Sequence, residues 1–409
     1  MSTKQILLAS GLCAGLGWAS LLAEEDQAVE VVTAGPVFAD PLPADALPAD
    51  PVKVSPAAVI DAAVVPDEGE GNEMNDTARK SEAEGNLLAG DTGVPTDRDL
   101  AVRLQMFLDQ KLFGPGFIDG KPGNFTTKAV HAYNRSVGRT PGDWGALVEE
   151  ADAALGETYA TAIVPEIAEA YVNPKLPKRR EDQAKLKRMA YTSYLEFMAE
   201  RYHTSESFLI ELNGSKKCYG LAPRKDLRVP NIEPFRIELL EEGQVNREDE
   251  VLSGRSVIID TKAKTLFIYG PGEAPVLPGG AVVIAEEDHT PQVLLAMFPI
   301  TPGKSQFIHH GEWAIANSVV LPKWSYDKEF LETGQRSKDK SKIFQIPSGP
   351  NNPVGIIWNG LTKSGIGIHG TSSPRTIGRS RSAGCIRLSN WDAARFPELV
   401  RPGAKVEVR

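Results

Sequence analysis

The stretch Ile368-His369-Gly370-Thr371 and, beyond a short loop, Ser382-Ala383-Gly384-Cys385-Ile386-Arg387-Leu388 set one histidine and one cysteine 16 positions apart in a glycine-punctuated frame. A thiol attacks only as its thiolate, so a nucleophilic cysteine needs a nearby base and a setting that favours the charged form. His369 is the candidate base. Gly384 lets the backbone approach closely or take a positive φ beside Cys385, where the amides could face a developing oxyanion. Acyl transfer is the chemistry this arrangement suits. Arg387 either braces the loop through an ion pair or holds a substrate carboxylate with its planar fork. Ser382 either hydrogen-bonds near the oxyanion or simply forms a turn. Trp358 and Asn359 read as pocket walls.

Working outward, Ser256-Val257-Ile258-Ile259-Asp260 and Thr265-Leu266-Phe267-Ile268-Tyr269 alternate as paired strands, with residues 261–264 as the turn. Further strands are predicted at 281–284, 293–298, 312–316, 355–358 and 405–408. The C-terminal region from residue 254 to 409 is therefore a mostly β domain.

Together with Pro347-Ser348-Gly349-Pro350-Asn351-Asn352-Pro353-Val354-Gly355, Trp358, Asn390-Trp391-Asp392 and Pro402-Gly403-Ala404-Lys405-Val406, these motifs resemble the catalytic domain of the L,D-transpeptidases. These are envelope enzymes that cross-link peptidoglycan through a cysteine acyl-enzyme. The resemblance implies a sandwich-like or barrel-like sheet whose mouth holds the Cys/His loop. It implies His369 as the base for Cys385, the Gly370 carbonyl as the group that orients the imidazole, and Ser382, Gly384, Arg387 and Trp358 as substrate or oxyanion contacts. One departure is Ala383, where the family usually places a second histidine. That substitution leaves the Cys385–His369 pair in place and bears on rate and substrate positioning. The implied reaction releases terminal D-alanine from a stem peptide and passes the acyl group to a neighbouring stem. Water as acceptor would make a carboxypeptidase, and a protein amine would anchor an envelope protein. A different class, a wall-binding scaffold with an inactive catalytic domain, is the competing reading.

Upstream, Leu100, Val102, Leu104, Phe107, Leu108 and Leu112 fit one helix and Ala129, Val130 and Tyr133 another. With Leu104-Gln105, Phe117-Ile118-Asp119-Gly120, Gly123 and Thr126, residues 97–160 resemble a small helical peptidoglycan-binding domain, in which Asp119-Gly120 makes a turn and Thr126 caps the following helix. Residues 184–232, with Leu195, Met198, Ala199, Tyr202, Phe208, Leu209 and Leu212 at helical spacing, resemble a degenerate LysM module, an α+β glycan-binding unit. That family's usual glycine before the last strand is absent, with Arg224 near its place. Between the two units, the basic run from Lys175 to Arg180 reads as a solvated linker.

The 409-residue chain is thus multidomain. Lys4 followed by the apolar run from Ile6 to Ala23 has the layout of a secretory signal over residues 1–23, with retention as an N-terminal membrane anchor as the alternative. Residues 24–96 are an acidic Pro/Ala-rich linker. Export to the periplasm or cell envelope follows, with peptidoglycan stem peptides and glycan strands as partners. The formal charge of −9 argues against nucleic acid, which calls for a clustered basic face. Past the signal only Cys218 and Cys385 remain, and Cys218 has no base motif beside it. His289, His309 and His310 match no zinc spacing, so neither a metal nor a cofactor is expected. The sequence leaves the oligomeric state open.

Overall fold

The computed structural model describes residues 59–60, 93–272, 292–303, 308–333, 336–379 and 384–409. The expected signal segment, most of the acidic linker, the strand expected at 281–284, and Ser382 with Ala383 lie outside the described residues.

Alternating burial along Ser256–Asp260 and Thr265–Pro271 makes each a strand with one face on a core, and the two pair antiparallel with Ser256 opposite Tyr269. They belong to a nine-stranded sheet. From one end its main path runs Gln292–Pro299, Thr265–Pro271, Ser256–Asp260, Lys405–Val408, Gly311–Val320, Ile357–Leu361, Gly367–His369 and Ile386–Arg387, while Val245–Asn246 pairs with Gly311–Val320 beside that path. Strand twist accumulates along such a path and curls it. Here the curl brings the ends together: Thr301, just past Gln292–Pro299, exchanges backbone hydrogen bonds of 2.9 and 3.0 Å with Arg387 in the opposite terminal strand. The barrel-like alternative is therefore the better description of this sheet. The strand expected at 355–358 begins later, at Ile357, because Gly355 turns the chain with φ +62°.

Two structural units precede the sheet. Helices Arg98–Gln110, Asn124–Ser136 and Trp144–Ala154 enclose Leu104, Phe107, Leu108, Ala129, Val130, Trp144 and Leu147. The Gln105 carboxamide oxygen accepts from the amides of Asp119 and Gly120 at 2.9 and 2.8 Å, holding the turn that the sequence marks. Thr126 is not a cap: the helix starts after Gly123, and the Thr126 hydroxyl donates to the Pro115 carbonyl at 3.2 Å. This unit covers the sheet's exposed edge. The Gly114 amide donates to the Met297 carbonyl at 2.7 Å, and the Met297 amide to the Leu112 carbonyl at 3.0 Å.

In the second unit, strands Tyr159–Ile163 and Asp226–Pro230 pair antiparallel around helices Tyr194–Arg201 and Glu206–Asn213. The unit expected over 184–232 thus draws its first strand from 159–163, which straddles the end of the preceding expected domain at residue 160. Arg224 takes the left-handed conformation, φ +69°, that glycine would adopt more easily. Residues 164–193 lie between that strand and the helices and pack on the C-terminal region, where the Met189 amide donates to the Ser348 carbonyl at 2.8 Å. Arg180 stands over the rings of Trp324 and Tyr326 and Gln183 is buried, so the basic run continues into packed structure and is not purely a solvated linker.

All three parts meet at one buried charge cluster. Asp109, on the first helix, accepts from Arg395 at 3.0 and 2.8 Å through its two oxygens and pairs with His203 Nδ1 at 2.9 Å. His203 stacks on Trp391, ring centroids 5.5 Å apart and planes 11° apart. His203 is therefore a buried junction residue and not the surface or capping histidine that its place at a helix end suggests.

Candidate active site

Sheet register assembles the site. Strands Gly367–His369 and Ile386–Arg387 run parallel with His369 opposite Arg387, and Ile357–Leu361 runs antiparallel with Trp358 opposite His369. Side chains two apart share a face, so Cys385, Arg387, His369 and Trp358 lie on one side. Ile357, Ile368 and Ile386 take the other side, in the main core. Cys385 packs in a smaller apolar cluster with Trp358, Val354, Trp324 and Met189.

Within this group, the His369 ring stacks on Trp358 with centroids 5.6 Å apart and planes 23° apart. His369 Nδ1 lies 2.6 Å from the Gly370 carbonyl oxygen. A carbonyl only accepts, so Nδ1 carries the proton and Nε2 keeps its lone pair. Among the described residues Nε2 is buried without a hydrogen-bond partner. The tautomer is the one a general base needs. The Cys385 Sγ lies 3.6 Å from the Gly365 carbonyl.

Both groups rest uncharged. Burial, followed by the nearby Arg387 charge, pushes His369 down to about 3, against weaker support from the Gly370 and Val354 carbonyls. Burial pushes the Cys385 thiol up to about 11, and the Gly367 amide and Arg387 only partly oppose it. The charge of Arg387 thus favours thiolate and disfavours imidazolium. Alkylation of Cys385 by iodoacetamide is accordingly expected to keep rising from pH 7 through pH 9 to 10, which a stopped-time mass measurement reads. A plateau reached below pH 7 would mean a preformed thiolate–imidazolium pair instead.

Gly384 adopts φ +124°, and a Cβ on Gly303 would come within 2.6 Å of the Gly384 Cα, so the chain before the thiol needs glycine on both counts. Of the residues singled out in the sequence, Cys385, His369, Gly370, Gly384, Arg387 and Trp358 are brought together here, and all are buried. Ser382 lies outside the described residues. Cys218 is a free buried thiol whose Sγ points to the Leu209 carbonyl at 3.3 Å, within the second unit.

Residues 236–408 match the family model of the L,D-transpeptidase catalytic domain. This region is an L,D-transpeptidase catalytic domain. It begins earlier than the expected residue 254 and takes in strand Val245–Asn246, which pairs with Val319 and Ser318. The chain is similar to the YkuD protein of Bacillus licheniformis, 41% identical over 74 residues, which are 18% of this chain and 45% of that relative. It is also similar to the ErfK/SrfK protein of Salmonella typhimurium, 26% identical over 221 residues, 53% of this chain and 60% of that one. The chain thus spans less than two thirds of the length of these relatives. Among solved structures it resembles L,D-transpeptidase 3 of Mycobacterium tuberculosis, with 15% identity, 46% of this chain and 75% of that chain covered, and a TM-score of 0.27.

The catalytic domain also holds site neighbours that the sequence reading did not single out. Asn390, in the sequence one member of the Asn390-Trp391-Asp392 motif, accepts through its Oδ1 from the Thr371 amide at 3.1 Å, directly behind the Gly370 carbonyl. Asn352 is wholly buried and shapes the Pro347–Gly355 loop, donating to the Pro347 carbonyl at 2.8 Å and accepting from the Val354 amide at 2.9 Å.

Proposed function

We propose that the protein is an L,D-transpeptidase acting on peptidoglycan stem peptides. The observation that carries this reading is the His369 tautomer, with Nδ1–H bound to the Gly370 carbonyl and the ring on the same sheet face as Cys385. In this reading Nε2 takes the thiol proton and the Cys385 sulfur attacks the carbonyl of a stem-peptide L,D bond. The tetrahedral oxyanion is held by amides of the Gly384–Cys385 turn, with Ser382 alongside. The carbon–nitrogen bond breaks, imidazolium returns the proton to the leaving D-alanine amine, and a thioester remains. The side-chain amine of a diamino residue on a second stem, deprotonated by His369, then attacks the thioester. An amide cross-link forms and the thiol is regenerated. In this reading Arg387 both lowers the cost of the thiolate and holds a stem carboxylate.

The two N-terminal units are, in this reading, modules that hold the enzyme on glycan strands. The N-terminal apolar run exports the chain to the periplasm or cell envelope, and the acidic linker spaces the folded part from the membrane. Because the units share buried contacts with the catalytic sheet, they would present wall and stem peptide in fixed relation.

Incubation of the chain lacking residues 1–23 with tetrapeptide muropeptides, beside its Cys385→Ala variant, tests the reaction. Mass spectrometry is expected to show D-alanine release and cross-linked dimers only with the unsubstituted thiol. Tripeptides without dimers would make the enzyme a carboxypeptidase. No conversion, and no adduct with a carbapenem, would favour the wall-binding scaffold.

A further inference from the structure

The loop that carries the Gly370 carbonyl is backed by a side chain from outside the catalytic domain. Asn390 Oδ1 accepts from the Thr371 amide at 3.1 Å, and its Nδ2 donates to both carboxylate oxygens of Glu200 at 3.1 Å and to the Pro350 carbonyl at 3.2 Å. Glu200 in turn accepts from the Tyr191 hydroxyl at 2.6 Å. Glu200 belongs to helix Tyr194–Arg201 of the second unit, ahead of the matched residues 236–408.

Physical cost makes this contact informative. The helix also buries Leu195, Phe197, Met198, Ala199 and Arg201; Arg201 is paired with Glu238 at 2.9 Å, whereas Glu200 is held by the neutral donors Asn390 and Tyr191, and an apolar residue at position 200 would avoid desolvating a carboxyl. Packing at the far end of the chain leaves no slack: a Cβ on Gly370 or on Gly355 would overlap Asn390 Oδ1. Asn390 thus binds the amide of the same 370–371 peptide whose carbonyl holds the His369 ring.

We propose that Glu200 is a positioning residue for the proton-transfer step, acting through Asn390 and the Gly370–Thr371 peptide to hold His369 with Nε2 toward the thiol. The second unit is then part of the active-site support as well as a candidate wall-binding module. This inference rests on the transpeptidase reading for its rate but not for its geometry.

The test uses the full chain lacking only residues 1–23, as Glu200→Ala and, because alanine leaves a hole, the near-isosteric Glu200→Gln. Two readouts are taken on folded protein: the rate of Cys385 acylation by a carbapenem, from intact mass, and the ring nitrogen shifts of His369 in protein labelled with 15N-histidine, assigned by comparison with His369→Ala. By analogy with outer hydrogen-bond partners that orient histidine ligands of metals, where losses run to roughly 10–100-fold, a drop of about tenfold or more in acylation is expected. It should be accompanied by departure of His369 from the pure Nδ1–H signature in at least one folded variant. Unchanged nitrogen shifts in the folded variants overturn the proposal, whether or not the rate falls, because a merely structural role would leave the tautomer alone. If even the unsubstituted chain fails to acylate, the transpeptidase reading is lost, and the nitrogen shifts still decide the positioning role.

Discussion

Replacing His369 by alanine is expected to slow acylation of Cys385 by roughly 10²–10⁴-fold at neutral pH, the range a positioned general base contributes. The size follows from the thiol's setting. Burial holds it up to about 11, so almost none is thiolate at pH 7 and reaction depends on removal of the proton within the site. Ala383 stands where the resembled family usually keeps a second histidine. The deficit should narrow as pH rises toward 10, because solvent hydroxide then deprotonates part of the thiol in both proteins. Intact-mass time courses with a carbapenem, from pH 6 to pH 10, measure both trends. A variant within threefold of the parent at pH 7 would remove His369 from the mechanism.

The second large effect concerns stability. Asp109→Ala is expected to cost about 3–5 kcal/mol, the range for breaking one partner out of a buried charge pair. Asp109 is 1% exposed and is held by both terminal nitrogens of Arg395 as well as by His203. Its removal takes from the guanidinium the carboxylate that binds both terminal nitrogens at the junction of three units, with Asp392 left 4.0 Å away. Burial alone would raise the Asp109 carboxyl, but Arg395 and then His203 outweigh it and hold the group well below the ordinary carboxylate range. A carboxyl with a depressed folded value contributes stability that is present above its unfolded value near ~4 and is lost as pH falls below it. The gap between parent and variant in urea denaturation should therefore be full at pH 7 and shrink below about pH 4. A gap under 1 kcal/mol at pH 7 would mean that the cluster relaxes and carries little of the fold.

His203 acts in the same direction by a different route. Burial lowers its value, with Asp109 only partly compensating, below the unfolded value of about 6.5. Stability from this group is lost as pH falls below 6.5. Glu200 runs the opposite way: burial raises its carboxyl to about 8, which favours the folded state at low pH and costs stability as pH climbs from about 4.5 to 8. The Glu200→Gln variant should lose that opposing slope.

Much of the catalytic region is legible from residue order alone. Strand alternation at 256–260 and 265–269 depends only on side-chain period two, and the Cys385/His369 pair is marked by residue types that acyl transfer requires. The conformational demand at Gly384 is likewise local, a positive φ that one residue type meets without strain. The small helical unit is legible where its periodicity is strong, from Leu100 to Leu108, although the helix ends at Gln110 and Leu112, with φ +67°, lies beyond it; it is less so at Trp144–Ala154, whose buried positions are Trp144, Leu147 and Ala151.

Other features arise only from chain segments distant in sequence coming together. The one-face arrangement of Cys385, His369 and Trp358 follows from strand register, and register is set across the sheet by packing rather than by any one strand. Strand Tyr159–Ile163 gains its partner at Asp226–Pro230, a pairing that no local signal announces. Glu200 looks in sequence like one polar position on an amphipathic helix, and Asp109 and His203 like surface residues near helix ends. Each is buried because another unit closes over it and supplies the partner, Asn390 in one case and Arg395 in the other. Local preference and reactive chemistry are written residue by residue and could be read from the sequence. Desolvation, tautomer choice and the coupling of the N-terminal units to the site depend on what tertiary structure places within a hydrogen bond's reach.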